Sequence, residues 1–509
     1  MITLTIDNKE ISVPEGTTVL NAALQNGIEI PHLCYHPKLK IRGTCRICLV
    51  EIEGMRKLET ACSMVVKDGM IVSTNNEKVE KARSGVLEFL LINHPLNCPV
   101  CDQAGDCDLQ RYARKYGRDH SRYSEDKRDF PEHDIGGGLI RNMNLCVACT
   151  RCIRFARDIL GVEEYGSFYR GNEQQIGIYG GGEIKNAMQG CMVDVCPVGA
   201  LTSKDFRFKK RVWFLDQKPS ICLKCAKGCN TFVEVDDNTI YRIVPRENLD
   251  INDVWMCDIG RRAYLDMDDK EPVTSSMMKS GDNLFDVSLE RAIEELAVEI
   301  KERQENGSFA LRIGTGASIE EMASALLIAS DNIGPEQITL TTRIEDITKE
   351  KEAGNFLIDE DFSPNTAGAK KLGISDNLKK IESAIESKKI TGALFVGCEI
   401  FDTALPDTLI KKLKKLKFAA AITDRITPEI KKYMDIVIPA PHWSQKSGTY
   451  INSSGNAQKI DAVVSITNGV ASSKATTKIF ADLAAELNKT SADYDKFEKE
   501  IEKRVAGNI

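Results

Sequence analysis

Apolar and polar residues alternate through the opening stretch ITLTIDNKEISV, and the alternation breaks at Asn8-Lys9. A period of two puts one face of a strand indoors, so the stretch predicts two strands joined by a hairpin. From Thr17 to Gln25 the apolar positions recur at helical spacing instead, giving a small strand–strand–helix start of α+β type. Lys78–Asn93 (KVEKARSGVLEFLLIN) predicts a further helix that delivers His94. Asp119–Asp134 is polar and charged and predicts a linker. The runs Gly136–Gly138 and Gly180–Gly182 predict turns, because neither has the strand–GxGxxG–helix context of a dinucleotide site.

After Cys257 the texture changes. Ser288–Ile300 (SLERAIEELAVEI) predicts an amphipathic helix capped by Ser288. The apolar run Phe309–Ile313 leads into Gly-Thr-Gly, and Ser318 with Glu321 then fits a capping box that opens another helix. Ala393–Val396, Ala419–Ile422 and Ile436–Ile438 are further short apolar runs between helical or polar stretches. Strands alternating with helices predict an open, largely parallel α/β domain. No repeat of fixed period runs through the chain.

Composition narrows the function classes. A chain of 509 residues is too long for one core and predicts three or more domains. Charged residues make up 28% and the net charge is -7, which argues against nucleic-acid binding. No run reaches about 18 apolar residues, so no membrane span is expected. The start MITLTIDNKE lacks the basic and apolar regions of a signal peptide, which leads to the expectation of a cytosolic location, where disulfides are rare. Sixteen of the 17 cysteines lie between Cys34 and Cys257, and Cys398 stands apart. Clustered thiols in a reducing compartment point to metal ligation in the first half.

The cysteines fall into four sets. Cys34, Cys45, Cys48 and Cys62 are spaced C-x10-C-x2-C-x13-C, a variant of the plant-type [2Fe–2S] pattern. With four cysteines present, the flanking His32 and His36 are read as structural. His94, Cys98, Cys101 and Cys107 follow H-x3-C-x2-C-x5-C, which fits a [4Fe–4S] cluster or a zinc ion by spacing alone. Cys146, Cys149 and Cys152 with Cys196-Pro197 have the C-x2-C-x2-C…C-P form of a bacterial-ferredoxin [4Fe–4S] site. Cys222, Cys225, Cys229 and Cys257 suffice for another [4Fe–4S] cluster, with four-cysteine zinc as the alternative. The third set favours iron–sulfur for its neighbours. Cys191 and Cys398 remain and are read as packing thiols. An imidazole in place of a thiolate removes negative charge from the ligand shell, so His94 should raise its cluster's potential.

The stretches PHLCYHPKLKIRGTCRICLVEIEG, HPLNCPVCDQAGDCDLQRYA, NLCVACTRCIRFARD, VDVCPVGALTSK and WMCDIGRRAY resemble the large iron–sulfur subunit family of respiratory complex I, the G subunits of NADH–quinone oxidoreductase. The resemblance covers nearly the whole chain and is most specific up to residue 271. It implies a multidomain α+β and α/β protein. Residues 1–78 would be a [2Fe–2S] ferredoxin-like β-grasp domain. Residues 79–118 would hold the histidine-plus-three-cysteine [4Fe–4S] cluster, 119–214 a [4Fe–4S] ferredoxin-like domain, and 215–271 an extra [4Fe–4S] domain. Residues 272–509 are similar to a molybdopterin-oxidoreductase domain, through VSLERAIEELAVEI and MDIVIPAPHWSQKSGTYINSSGNAQ, but short for one and without molybdopterin.

The resemblance also implies a role. Electrons from NADH would arrive through a flavin-binding iron–sulfur partner and leave toward quinone through a ferredoxin-type partner and the quinone-module subunits. The chain would carry electrons without holding the NADH or quinone site, on the cytoplasmic face of the inner membrane. Two other readings stand beside it: the electron-input subunit of a soluble NAD(P)-linked hydrogenase or formate dehydrogenase complex, and a zinc-stabilised scaffold with no redox role. In the second half, Cys398 in TGALFVGCEIF and His442 in PAPHWSQKSG offer no molybdenum site, and a docking and covering role is expected.

Overall fold

Residues 1–265, 271–304, 308–334, 337–342, 356–374, 376, 378–397, 412–465 and 475–507 are described by the structure, a computed structural model. They divide into two units, Met1–Leu215 and Asp216–Lys349 with Phe356–Ile509.

The first unit opens with β1 (Ile2–Ile6) and β2 (Lys9–Val13), antiparallel and closed by the pair Ile6↔Lys9. The turn falls at Asp7-Asn8, one residue before the expected break, with φ of 47° and 66°. Two left-handed residues in succession give a hairpin turn whose twist matches that of the strands. The helix α1 (Val19–Gln25), capped by the Thr18 side chain, buries Val19, Leu20, Ala22 and Ala23. These share a core with Leu4, Ile6, Val50 and Val72 of a five-stranded sheet, completed by β3 (Leu49–Ile52), β4 (Glu59–Thr60) and β5 (Ile71–Ser73) in the order β2-β1-β5-β3-β4.

Two helices follow, α2 (Glu77–Leu91) and α3 (Asp108–Tyr116). The expected linker Asp119–Asp134 is tied down. Arg122 Nε donates to Glu88 at 2.6 Å, and Lys127 Nζ donates to the carbonyls of Leu91 and Ile92 at 2.8 and 2.7 Å. A helix ends with unpaired carbonyls, and a basic side chain arriving from a polar stretch satisfies them. The unit closes with the sheet of β6 (His133–Asp134), β7 (Leu139–Arg141) and β10 (Leu201–Ser203). Between its strands come the helix α4 (Arg151–Asp158), the hairpin β8 (Tyr165–Phe168)–β9 (Gln175–Ile178) and the short helix α5 (Cys191–Asp194).

The second unit begins with an antiparallel sheet that the hydrophobic pattern did not announce, β11 (Asp216–Ile221), β12 (Asn230–Asp236) and β13 (Thr239–Pro245), then α6 (Asp258–Arg261). The pair of β14 (Glu271–Pro272) and β21 (Arg425–Ile426) is small. The main sheet has seven strands in the order β16-β15-β22-β20-β19-β17-β18. Its parallel strands are β17 (Phe309–Gly314), β18 (Ile338–Thr341), β19 (Gly392–Val396), β20 (Phe418–Thr423) and β22 (Ile436–Pro439). β17, β19, β20 and β22 are buried along their whole length, as strands covered on both faces must be. The antiparallel edge hairpin β15 (Ser276–Ser280)–β16 (Asn283–Val287) is an addition. Helix α7 (Leu289–Gln304) and helix α8 (Ile319–Ile328) flank the sheet, and α8 has the expected capping box: Ser318 N donates to Glu321 Oε2 at 2.7 Å, and Glu321 N to Ser318 Oγ at 3.2 Å. The hairpin β23 (Gly448–Ile451)–β24 (Ala457–Ile460) completes the part that matters below. Among the described residues no helix is long and apolar enough to cross a membrane.

Candidate metal centres

Of the first set, Cys48 and Cys62 belong to the core of the five-stranded sheet and Cys34 and Cys45 to a neighbouring core. Cys34, Cys45, Cys48 and Cys62 are all buried, and Cys34 N donates to Cys45 Sγ at 3.4 Å. Thiol hydrogen bonds from Cys45 and Cys62 hold Cys34 far below the usual thiol range, and a bond from Cys62 lowers Cys48. Acting as donors, and buried, Cys45 and Cys62 are pushed up. The four thiols are thus linked in pairs, Cys34 with Cys45 and Cys62, and Cys48 with Cys62. Arg46, between two of them, is left-handed at φ 59°, which costs about 1–2 kcal/mol and turns the loop tightly. His32 bonds the Ile30 carbonyl at 2.9 Å and His36 accepts from Lys38 N at 3.3 Å, so each has a backbone partner.

In the second set Cys98, Cys101 and Cys107 act on one another electrostatically, and burial raises Cys101 and pushes Cys107 up to about 11. Cys107 caps α3, with Gln110 N donating to its sulfur at 3.5 Å. His94 is 8% exposed, and its Nδ1 is buried without a hydrogen-bond partner. Burial, then Lys127 and Arg128, hold its pKa down to about 4, so the imidazole is neutral. A buried neutral imidazole with an unsatisfied nitrogen suits a metal-ligating histidine.

Cys146, Cys149, Cys152 and Cys196 line one cavity with Tyr165, Ile176 and Leu201. Burial pushes Cys146, Cys149 and Cys196 up to about 11. Ala148 and Thr150 are left-handed, at φ 49° and 59°, and coil the loop so that Ala148 N reaches Cys146 Sγ at 3.4 Å. Cys191 is fully buried in α5 and does not line this cavity.

In the second unit Cys222, Cys225, Cys229 and Cys257 line another cavity with Met256, Ile358 and Phe362. Burial raises Cys222 and pushes Cys257 up to about 11. The loop between Cys225 and Cys229 is braced from β23–β24: Ser453 N donates to the Ala226 carbonyl at 2.7 Å, Asn452 Nδ2 to Lys227 at 3.3 Å and Gln458 Nε2 to Gly228 at 2.9 Å. Cys398 lies outside the described residues.

Among the described residues no three His, Cys, Asp or Glu side chains converge at single-ion spacing. The third and fourth sets instead surround cavities, and the thiols are packed away from water, where a cluster would deprotonate them. The chemistry of all four donor sets fits iron–sulfur clusters.

Arginines not singled out in the sequence pin these loops. Arg128 Nη2 donates to the carbonyls of Met143 at 3.0 Å and Cys146 at 2.8 Å. Arg211 Nη1 donates to the carbonyl of Cys101 at 2.5 Å, and its Nη2 to that of Pro99. Arg154 donates to the carbonyls of Cys34 and Cys149. Of the three, Arg154 is buried, whereas Arg128 and Arg211 are half-buried.

The parallel strands of the second unit end at a cavity of about 230 Å³, lined by Thr315, Asp424, Arg425, His442, Trp443 and Lys446 among others. It is smaller than the ~300–1,000 Å³ of ordinary small-molecule sites. Lys446 is paired with Glu321 at 2.8 Å and Arg425 with Asp424 at 3.8 Å.

Family models match along the chain: a 2Fe-2S iron-sulfur cluster binding domain at residues 1–77 and the NADH-ubiquinone oxidoreductase-G iron-sulfur binding region at 83–122. The ferredoxin-like domain of NADH-quinone oxidoreductase subunit 3 matches 137–202, the NDSU1/NuoG-like 4Fe-4S domain 216–265, and molybdopterin oxidoreductase 307–486. The G subunit of NADH-quinone oxidoreductase from Rickettsia felis is 40% identical over 396 residues, 76% of this chain and 57% of the relative. The mitochondrial NADH-ubiquinone oxidoreductase 78 kDa subunit of Candida albicans is 39% identical over 341 residues, 66% of this chain and 47% of the relative. The chain therefore spans about half the length of such relatives. A solved NAD+-reducing [NiFe]-hydrogenase chain is 29% identical, covering 42% of this chain and 91% of that one, with a TM-score of 0.37.

Proposed function

Since this chain belongs to the family of NADH-quinone oxidoreductase G subunits, we propose that it is the electron-relaying iron–sulfur subunit of complex I, carrying electrons from a flavin- and NADH-binding partner toward quinone. It would hold one [2Fe–2S] cluster on Cys34, Cys45, Cys48 and Cys62. Three [4Fe–4S] clusters would sit on His94, Cys98, Cys101 and Cys107, on Cys146, Cys149, Cys152 and Cys196, and on Cys222, Cys225, Cys229 and Cys257. Bound there, the clusters supply one-electron transfer.

One observation supports the relay most. A single apolar core contains Cys34, Cys45 and Cys149 together with Leu33, Ile47, Leu87, Leu109 and Leu145, and Cys101, Cys107, Cys146 and Cys196 pack against it. Candidate ligands of three sets thus share one water-excluding interior. The protein's part is to bury the sites, aim amides at the sulfurs of Cys45, Cys107 and Cys146, and fix the loops. The second unit contributes its own cluster site and a folded surface for neighbours; it holds no molybdopterin.

The test is isolation of the native complex with subunit identification and metal analysis. The expected result is flavin, ferredoxin-type and quinone-module subunits of complex I, with about fourteen irons per chain. Soluble hydrogenase or formate dehydrogenase partners, or stoichiometric zinc, would overturn the proposal.

A further inference from the structure

Arg154 is 4% exposed, on α4 just after the third-set loop. Its Nη2 donates to the carbonyl of Cys34 at 2.5 Å and to that of Cys149 at 3.3 Å. Nη1 donates to the Lys40 carbonyl, and Nε to that of Thr150 at 3.2 Å. All four acceptors are neutral, and among the described residues no carboxylate reaches it at ion-pair distance. Asp158, which feels its charge, is paired with Arg157 at 2.9 Å.

A guanidinium held out of water without a counter-charge is expensive. Cys34, Cys149 and Cys152, which lie in two ligand sets, act on it electrostatically and would supply negative charge as cluster-bound thiolates. Arg128 and Arg211 touch the ligand carbonyls of one set each, whereas Arg154 spans two. On the reading that these sets hold iron–sulfur clusters, we propose that Arg154 is a positioning residue for electron transfer: it locks the Cys34 loop to the Cys149 loop and raises the potentials of both clusters together.

The physics is direct. Reduction adds one negative charge to a cluster, and a buried cation beside it favours that state more strongly than it would in water. One cation touching two sites shifts both the same way, so the step between them changes little. Its planar fork reaches several carbonyls at once, a geometry lysine cannot reproduce.

EPR-monitored redox titration of the intact complex carrying Arg154→Gln or Arg154→Lys tests this. Arg154→Gln should lower the midpoints of the [2Fe–2S] and third-set [4Fe–4S] signals and leave the other clusters unmoved. Arg154→Lys should keep both midpoints near wild type while weakening the magnetic coupling between the two reduced clusters. Unmoved midpoints in Arg154→Gln, or movement of only one, would overturn the proposal. If Arg154→Gln fails to assemble, Arg154→Lys decides: weakened coupling with retained midpoints supports the lock, and wild-type coupling refutes it. Absence of both signals from the wild-type complex would remove the iron–sulfur reading instead.

Discussion

Gly199 stands against the thiol of Cys101: a Cβ built on it would lie 2.6 Å from the sulfur. The two residues come from different ligand sets, Gly199 following Cys196-Pro197 of the third and Cys101 belonging to the second. The same junction is fastened by Asp108 N, which donates to the Pro197 carbonyl at 3.0 Å. Gln103 at 3.2 Å and Leu145 at 3.4 Å close the remaining space.

Gly199→Ala should therefore push Cys101 aside and damage the second site, since overpacking costs about 1–3 kcal/mol where neighbours cannot yield. The expected loss is up to about four irons per chain. Gly260→Ala should do the same to the fourth site, because its Cβ would lie 2.8 Å from Cys222 Sγ. Iron analysis and EPR of each variant read this, and full iron with an unaltered spectrum would show that the thiols have room to move.

What the sequence could and could not reveal follows from the range of each interaction. The parallel strands β17, β19, β20 and β22 were legible because full burial writes a continuous apolar run. The capping box of Ser318 and Glu321 was legible because both partners lie within one turn. The bracing of Lys227 by Asn452 joins residues 225 apart, and Arg154 reaches Cys34 across 120 positions. Such contacts leave no local pattern. The left-handed Arg46, Ala148 and Thr150 were equally hidden, since glycine usually marks that conformation.

His94→Cys should keep a cluster and lower its midpoint potential. The neutral imidazole, held down to about 4, contributes no negative charge to the ligand shell, and a thiolate would add one. Redox titration followed by EPR measures the shift. A midpoint that stays put or rises would mean that charge at residue 94 is not the controlling factor.

The second unit should lose stability in acid partly through His442. In the folded chain burial, with Arg425, Lys446 and Lys224, holds this imidazole down to about 3, against an ordinary 6.5; Asp424 at 3.8 Å does not offset them. Between those values the unfolded chain takes up a proton that the folded chain refuses. Stability therefore rises with pH across this window and is lost progressively as pH falls from about 6.5 toward about 3. Melting temperatures between pH 7 and 5 should fall more steeply for wild type than for His442→Asn. Parallel curves would show that His442 titrates in the folded protein.

The tail should act as a brace and not as a cofactor enzyme. Its cavity of about 230 Å³ is lined by the protein's own ion pairs, Lys446 with Glu321 and Arg425 with Asp424, so the charged groups there already have partners. Its hairpin β23–β24, by contrast, donates three hydrogen bonds to the loop between Cys225 and Cys229. Asn452 is central there: while Nδ2 holds the Lys227 carbonyl, Oδ1 accepts from Ser454 N at 3.1 Å and Asn456 N at 2.9 Å. Asn452→Ala removes these hydrogen bonds; Ser454 and Asn456 are exposed and can turn to water, so the cost is about 0.5–1.5 kcal/mol per bond and falls on the half-buried Lys227 loop. The variant complex should lose fourth-site iron, up to about four atoms, with the three sites of the first unit retained. Elemental analysis of wild type should find neither molybdenum nor tungsten. Stoichiometric molybdenum, or full iron in Asn452→Ala, would show that the tail serves something other than the loop it touches.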